Sequence, residues 1–219
     1  MALRTEGLDE KLMESAKKEF MTYGYKDASI NRIAKNAGAT SGALYIRYKN
    51  KDELFCSLVD FAIKGVQEKI NHYKGKFSTL GKSQSWGQMD ILDREVFDWM
   101  IDFIFDHHDE FKLLICKSDG SSVSGFVSHL IDFKFQRTYE FIENIITPML
   151  EEAKQPPISK EEVALLTSVQ YHSLFEVIRY DYKKEDARRY LNTVRQVYGN
   201  GLRELLKDFL MANGHEEIE

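Results

Sequence analysis

The sequence has few residues that interrupt helices. Only three of its 219 residues are proline, Pro148, Pro156 and Pro157, and proline is the residue that most reliably breaks a helix. Cysteine is also scarce, and Cys56 and Cys116 lie within apolar stretches, away from the spacings of a disulfide scaffold or a zinc site. The scarcity of proline favours an all-α fold, and we expect both cysteines to be buried thiols.

Long apolar runs and common catalytic motifs are absent as well. No stretch of about 18 apolar residues could form a transmembrane helix, and the amino terminus lacks the basic and then apolar pattern of a signal peptide. The sequence has no HExxH motif, no glycine-rich phosphate loop and no nucleophile elbow. We therefore expect a cytoplasmic protein without a membrane partner, an enzymatic activity, a metal or a cofactor.

Positive charge is confined to one end of an acidic chain. The net charge is -5, but residues 1–52 contain ten basic and seven acidic residues, which gives this segment +3. The other residues carry 20 basic and 28 acidic side chains, a net charge of -8. A polyanion would be attracted to the amino-terminal segment and repelled by the rest.

The basic segment has the pattern of three helices with a glycine turn. Apolar spacing predicts helices over residues 8–23, 30–37 and 41–48. Gly24 is expected to end the first helix, Ser29 to cap the second, and Gly38 to form the turn before a third helix capped by Thr40 or Ser41. Three short helices around a sharp turn are typical of a helix-turn-helix domain, whose recognition helix enters the major groove of DNA.

The residues of this segment closely resemble the signature of the TetR/AcrR family of repressors. The resemblance covers about the first quarter of the chain and depends on residues at the family's spacings, Ile33-Ala34, Ala37-Gly38, Ser41-Gly42, Leu44-Tyr45, Tyr48, Lys51 and Glu53-Leu54. It implies a helix-turn-helix domain over residues 1–52 and a helical effector-binding and dimerisation domain over residues 53–219. It also implies a transcription repressor that a small-molecule effector releases from a palindromic operator.

Residue chemistry and the resemblance together predict the DNA-contacting residues. Ala34 and Gly38 are expected to be small so that the second and third helices can cross closely. The resemblance implies phosphate contacts for Tyr45, Tyr48 and Lys51, although each of them could instead be an ordinary surface residue. Arg47 could contact either a guanine or a phosphate. The full candidate set is Ser29, Asn31, Arg32, Thr40, Ser41, Gly42, Ala43, Tyr45, Arg47, Tyr48 and Lys51.

The remaining sequence predicts further helices separated by polar segments. A loop is expected over residues 75–88, and helices over 89–107, 109–117 and 123–152. Ser159 and Glu162 form an S-x-x-E capping box that begins the next helix. The last two helices carry apolar stripes, residues 163–177 and 191–209, which could face the protein's own core. We expect them instead to form a four-helix bundle with a second copy of the chain.

The middle of the chain is rich in aromatic residues, most of which must pack in the core. An apolar or aromatic effector is expected, and the residues predicted to contact it are Trp99, Phe103, Tyr139, His172 and Phe175. The alternative to a DNA-binding regulator is a helical ligand-binding or protein-interaction module without affinity for DNA.

Overall fold

The computed structural model describes residues 7–79, 86–143 and 158–212. These residues form α-helices and one π-helical turn, and no strand occurs among them. The all-α prediction is therefore confirmed. In chain order the elements are α1 (Leu8–Asp27), α2 (Ile30–Asn36), α3 (Ser41–Tyr45), α4 (Lys51–Thr79), α5 (Trp86–Asp106), α6 (His108–Lys112), a π-helical turn (Leu113–Lys117), α7 (Phe126–Phe141), α8 (Lys160–Arg179) and α9 (Lys184–Ala212).

The chain divides into two compact units. Unit 1 comprises Met1–Lys69 with His107–Val127, and unit 2 comprises Ile70–Asp106 with Ser128–Glu219. The expected boundary at residue 52 lies inside unit 1, which continues into α4 as far as Lys69. Segment 107–127 also belongs to unit 1, where ion pairs attach it to α1. Lys17 pairs with Asp109 and Lys26 with Asp119, both with N–O distances of 2.6 Å.

Unit 1 has a core built from one face of α1 and the first turns of α4. Leu12, Ala16 and Phe20 are fully buried, as the four-residue spacing predicts. Phe20 packs edge-on against Phe55 of α4, with ring centroids 5.0 Å apart. Gly24 adopts a non-helical backbone with φ 74°, so it interrupts the helix at the predicted position, after which a further turn continues to Asp27.

Unit 2 contains α5, α7, α8 and α9. Residues of α5 and α8 such as Ile101, Leu174 and Ile178 form its core. The predicted capping box is confirmed, because the Ser159 side chain accepts from the backbone N–H of Glu162 while the Glu162 carboxylate accepts from that of Ser159.

Several predicted boundaries are wrong. The loop expected over residues 75–88 is helical at both ends, in α4 and α5, and residues 80–85 lie outside the described part. Residues 123–125 form turns before α7 begins. The predicted end of that helix, at residue 152, also lies outside the described residues.

The prediction that the apolar stripes of α8 and α9 face a second copy of the chain is also wrong. Val163, Leu174 and Val177 of α8 and Leu191 of α9 have at most 1% of their surface exposed within a single chain. They are already covered by the protein's own core, which is the alternative that the sequence left open. Leu166, Tyr198 and Leu202 are half-buried, and Leu205 is 57% exposed.

The cysteine prediction was partly wrong as well. Neither cysteine forms a disulfide within the described residues, and both are half-buried rather than buried.

No helix in the described ranges is both long enough and apolar enough to cross a membrane.

Candidate nucleic-acid interface and ligand cavity

The turn between α2 and α3 depends on Gly38. Its φ of 70° lies in the left-handed region that favours glycine. The backbone N–H of Ala39 donates to the Ala34 carbonyl and that of Gly38 to the Lys35 carbonyl, a Schellman motif that ends α2. A Cβ on Gly38 would meet nothing within 4 Å. The glycine is therefore required for the backbone angle, and the prediction that a close helix crossing requires it is wrong.

Side-chain caps begin both helices of the motif as the sequence predicts. The Ser29 hydroxyl accepts from the backbone N–H of Arg32, and the Thr40 hydroxyl accepts from that of Ala43 at 3.2 Å. The Ser41 hydroxyl donates to Asn31 Oδ1 at 2.6 Å, joining the start of α3 to α2. These contacts fix the orientation of α3 without using any apolar side chain.

Buried side chains hold the motif against α1. Ile33, Ala34 and Leu44 are at most 1% exposed, as expected for the residues that build the motif. Ser15 of α1 donates its hydroxyl hydrogen to the Ile33 carbonyl at 2.8 Å. The two helices and the turn are therefore anchored to α1 by both apolar packing and a buried hydrogen bond.

Arg32 is engaged within unit 1. Its Nε donates to Oε1 of Glu19 at 2.7 Å, and its guanidinium carbon lies 4.3 Å from the centre of the Tyr23 ring. Glu19 is buried, which alone would raise its pKa. Hydrogen bonds from Arg32 and the backbone N–H of Ser29, with the positive charges of Arg32 and Lys51, outweigh burial and hold the pKa of Glu19 below its usual value.

Arg47 and Tyr48 also have partners inside unit 1. Arg47 forms an ion pair with Asp9 of α1 and donates to the Ala43 carbonyl at 3.0 Å. The Tyr48 hydroxyl donates to the Met13 sulfur at 3.1 Å. Both side chains therefore connect the end of the motif to α1.

Tyr45 and Gly42 occupy the solvent-facing part of α3. Tyr45 is 51% exposed, Gly42 is exposed, and the neighbouring Ile46 is 82% exposed. Tyr45 and Ile46 thus place two large side chains at the exposed surface at the end of α3. Ile46 was not among the predicted contact residues, because the sequence pattern does not distinguish it from a core position.

The two lysines after α3 have different surroundings. The Lys51 ammonium group donates to the carbonyls of Lys26 and Ala28, each at 3.0 Å. Lys49 is exposed and forms no ion pair within the described part of unit 1, and the same is true of Lys35 at the end of α2. Lys35 and Lys49 are candidate phosphate contacts that the sequence pattern missed.

Unit 2 contains a cavity that is partly open to solvent. One face of each of three helices lines it, with residues spaced by three, four or seven, and α5 adds one arginine. The lining residues are Arg94 of α5, Lys134, Thr138, Phe141 and Ile142 of or just beyond α7, Val163, Leu166, Thr167 and Gln170 of α8, and Arg195, Tyr198, Gly199 and Leu202 of α9.

None of the five residues predicted to contact an effector lines this cavity. Trp99 and Phe103 stack on each other along α5, with centroids 4.7 Å apart. Tyr139 packs against the buried cluster of Ile142, Ile158 and Val163. Phe175 is buried. His172 is exposed, and its Nδ1 forms a hydrogen bond with the Ser168 carbonyl. The structure thus brings only Trp99 and Phe103 together.

Comparisons with known proteins agree with this architecture. Residues 12–58 match the family model described as "Bacterial regulatory proteins, tetR family". The chain is 34% identical over 60 residues to the uncharacterised HTH-type transcriptional regulator YhgD of Bacillus subtilis, an alignment that covers 27% of this chain and 31% of YhgD. The similarity to this curated relative thus spans about a third of its length.

Two solved structures resemble the chain over most of its length. A TetR family regulator from Chloroflexus aurantiacus superposes with a TM-score of 0.57 at 17% identity, covering 91% of this chain and 94% of that one. FadR from Bacillus subtilis, solved in complex with stearoyl-CoA, has a TM-score of 0.50 at 14% identity, covering 87% and 97%. At these identities the likeness concerns the fold alone. The helix-turn-helix segment, residues 12–58, is thus similar to that of the TetR family of bacterial regulatory proteins.

Proposed function

We propose that this chain is a transcription repressor that binds operator DNA through α3 and its flanking lysines. The observation that supports the proposal is the exposed surface of Gly42 and Tyr45 on α3. The Thr40 cap, the hydrogen bond from Ser41 to α2 and the contact of Tyr48 with α1 hold this helix in place. Lys35 and Lys49 supply unpaired positive charge next to it. This arrangement suits a helix that enters the major groove while neighbouring cations contact phosphates.

The proposed contacts divide by chemistry. Tyr45, Lys35 and Lys49 contact phosphates, and the backbone of Gly42 approaches the groove because no side chain intervenes. Asn31, Arg32, Arg47, Tyr48 and Lys51 remain candidates for contact from the sequence. Because these side chains have partners within unit 1, their first role is to set the position of α3.

Footprinting tests this proposal on the DNA upstream of the chain's own gene. We expect protection of a site with two-fold symmetry, and loss of that protection for Tyr45→Ala at the same protein concentration. Melting temperature provides the control, because an exposed side chain can be removed with little effect on folding. A folded wild-type chain that protects no such fragment would instead support the ligand-binding module without DNA affinity.

A palindromic site requires two copies of the chain, and α8 and α9 supply the surface we propose for dimerisation. Leu165 and Val169 of α8 and Val197 and Leu205 of α9 are 67%, 48%, 63% and 57% exposed. Four exposed aliphatic side chains on two neighbouring helices favour association into a four-helix bundle. The interface proposed here thus uses different residues from the buried stripes that the sequence indicated.

Sedimentation equilibrium tests this interface directly. Val197→Asp should shift the chain from dimer to monomer, because a carboxylate would be buried without a partner. Tyr190→Asp changes an exposed residue of the same helix outside the four and serves as the matched control. A dimer that tolerates Val197→Asp would contradict the proposed interface.

We further propose that a small molecule bound in unit 2 lowers DNA affinity. A ligand does so when it binds more tightly to a conformation of the dimer that does not fit the operator. The complex of FadR with stearoyl-CoA is a precedent for a small molecule held by a chain of this fold. The cavity lined by α5, α7, α8 and α9 is the proposed site.

A further inference from the structure

The cavity of unit 2 is lined by both apolar and cationic side chains. Its apolar wall consists of aliphatic and aromatic side chains from α7, α8 and α9, namely Phe141, Ile142, Val163, Leu166 and Leu202. Such a wall removes an aliphatic chain from water, at about 0.8 kcal/mol for each buried CH₂ group.

The charged part of the lining has one sign. Arg94, Lys134 and Arg195 line the cavity, and no carboxylate occurs among the described residues that do so. Three positive charges around one space favour an anion there, and the attraction is greater where the surroundings are apolar.

Arg195 provides an independent observation. Its Nε is buried and has no hydrogen-bond partner among the described residues. A buried donor without an acceptor is unfavourable in a folded protein, and each such case calls for a partner. Because Arg195 lines the cavity, an oxygen of a bound anion can be that partner.

Hydroxyl and amide groups complete the polar part of the lining. Thr138, Thr167, Gln170 and Tyr198 all line the cavity. Such groups orient a carboxylate or phosphate without adding charge. The apolar wall and the cationic set together match a molecule with one apolar and one anionic end.

We propose that the ligand of this cavity is an anionic amphiphile, an aliphatic chain with a carboxylate or phosphate-bearing head that Arg195, Lys134 and Arg94 bind. The sequence predicted an apolar or aromatic effector, and the proposal adds an anionic head to the apolar part. The inference rests on the proposed function only where it identifies the ligand as the effector that lowers DNA affinity. Binding itself is measured without DNA, so failure of the ligand and failure of DNA binding can be distinguished.

Isothermal titration calorimetry of the full chain tests the charge of the head. The probes are dodecanoate and dodecan-1-ol, which share an aliphatic chain and differ in charge, both used below the concentration at which dodecanoate forms micelles. We expect dodecanoate to bind at least about tenfold more tightly, as charge-assisted hydrogen bonds imply. Equal affinity for the two probes, or binding of neither, would overturn the proposal.

Two variants assign this preference to the cavity. Arg195→Gln should reduce the affinity for dodecanoate about tenfold and leave that for dodecan-1-ol unchanged. Arg137→Gln is the matched control, because Arg137 Nε is likewise buried without a partner but Arg137 does not line the cavity. If Arg195→Gln does not fold, Lys134→Gln takes its place with the same expectation. A folded variant that keeps the full preference would overturn the proposal.

Further probes distinguish a free fatty acid from an acyl thioester. Dodecanoyl-CoA and dodecanoate carry different anionic heads on the same chain, and tighter binding of either one identifies the source while supporting the proposal. Coenzyme A alone should bind at least about tenfold more weakly than its acylated form, because it lacks the aliphatic chain. Equal binding of coenzyme A with and without the chain would show that the apolar wall is unused and would contradict the proposal.

Discussion

The carboxylate of Glu19 lies 2.7 Å from Nε of Arg32, and the same oxygen, Oε1, accepts from the backbone N–H of Ser29 at 2.8 Å. Glu19 is on α1, whereas Ser29 and Arg32 are at the start of α2. One buried carboxylate therefore holds the first helix of the motif against α1, and the orientation of α3 depends on it through α2.

Glu19→Gln should destabilise the chain by about 1–3 kcal/mol, since a neutral amide accepts more weakly from the two donors. The free energy of unfolding in urea measures this. Glu14→Gln is the matched control, because Glu14 pairs with Lys18 on the exposed surface of the same helix and such pairs contribute little. Equal losses in the two variants would contradict the role assigned to Glu19.

The same carboxylate predicts a pH dependence. The pKa of Glu19 is lower in the folded chain than in the unfolded one, so its contribution to stability is present above the unfolded value of about 4.3. This contribution is lost as the pH falls through the folded pKa. The difference in unfolding free energy between the wild type and Glu19→Gln should therefore shrink below about pH 4. A difference that grows on acidification would show that the sign is wrong.

Lys49 and Lys51 should respond differently to removal. Lys51→Ala is expected to lower stability by about 1–2 kcal/mol, because it removes two hydrogen bonds from an ammonium group to carbonyls of unit 1. Lys49→Ala should leave stability unchanged and weaken DNA binding on all sequences alike, as loss of a phosphate contact does. Thermal melts and fluorescence anisotropy with labelled DNA separate the two effects. An unaltered DNA affinity for Lys49→Ala would remove Lys49 from the interface.

Substitutions of the glycines near α3 should also separate effects on stability from effects on DNA affinity. Gly38→Ala should cost about 1–2 kcal/mol, because φ is 70° there although space is available. Gly42→Ala should change stability by less than about 1 kcal/mol, since its backbone is helical and the nearest atom to an added Cβ lies 3.8 Å away. Gly42→Ala should nevertheless weaken DNA binding, if its backbone approaches the groove. Full DNA affinity in this variant would contradict that approach.

Local patterns in the sequence predicted the motif well. The positions of Gly24, Gly38 and the capping residues Ser29 and Thr40 follow from rules that act over a few residues, and the structure confirms them. The buried positions Ile33 and Leu44 follow from helical periodicity in the same way.

Long-range pairings could not be predicted from these patterns. Glu19 lies beside the apolar stripe of α1, and nothing local distinguishes it from an exposed acid, because its partners lie 10 and 13 residues away. The apolar spacing of α8 was visible, but spacing does not reveal whether a stripe faces the chain's own core or a second copy. The cavity was missed for a related reason, since Lys134 and Arg195 lie on different helices.

The salt dependence of DNA binding is the sharpest test of whether α3 and its flanking lysines bind DNA. Fluorescence anisotropy with duplex fragments from upstream of the chain's own gene should show affinity falling linearly, on logarithmic axes, between about 50 and 200 mM salt. Lys49→Ala should reduce that slope by about one, whereas Lys64→Ala, which removes a lysine paired with Asp60 on α4, should not. Binding that is absent from every such fragment, or that does not change with salt, would contradict the account.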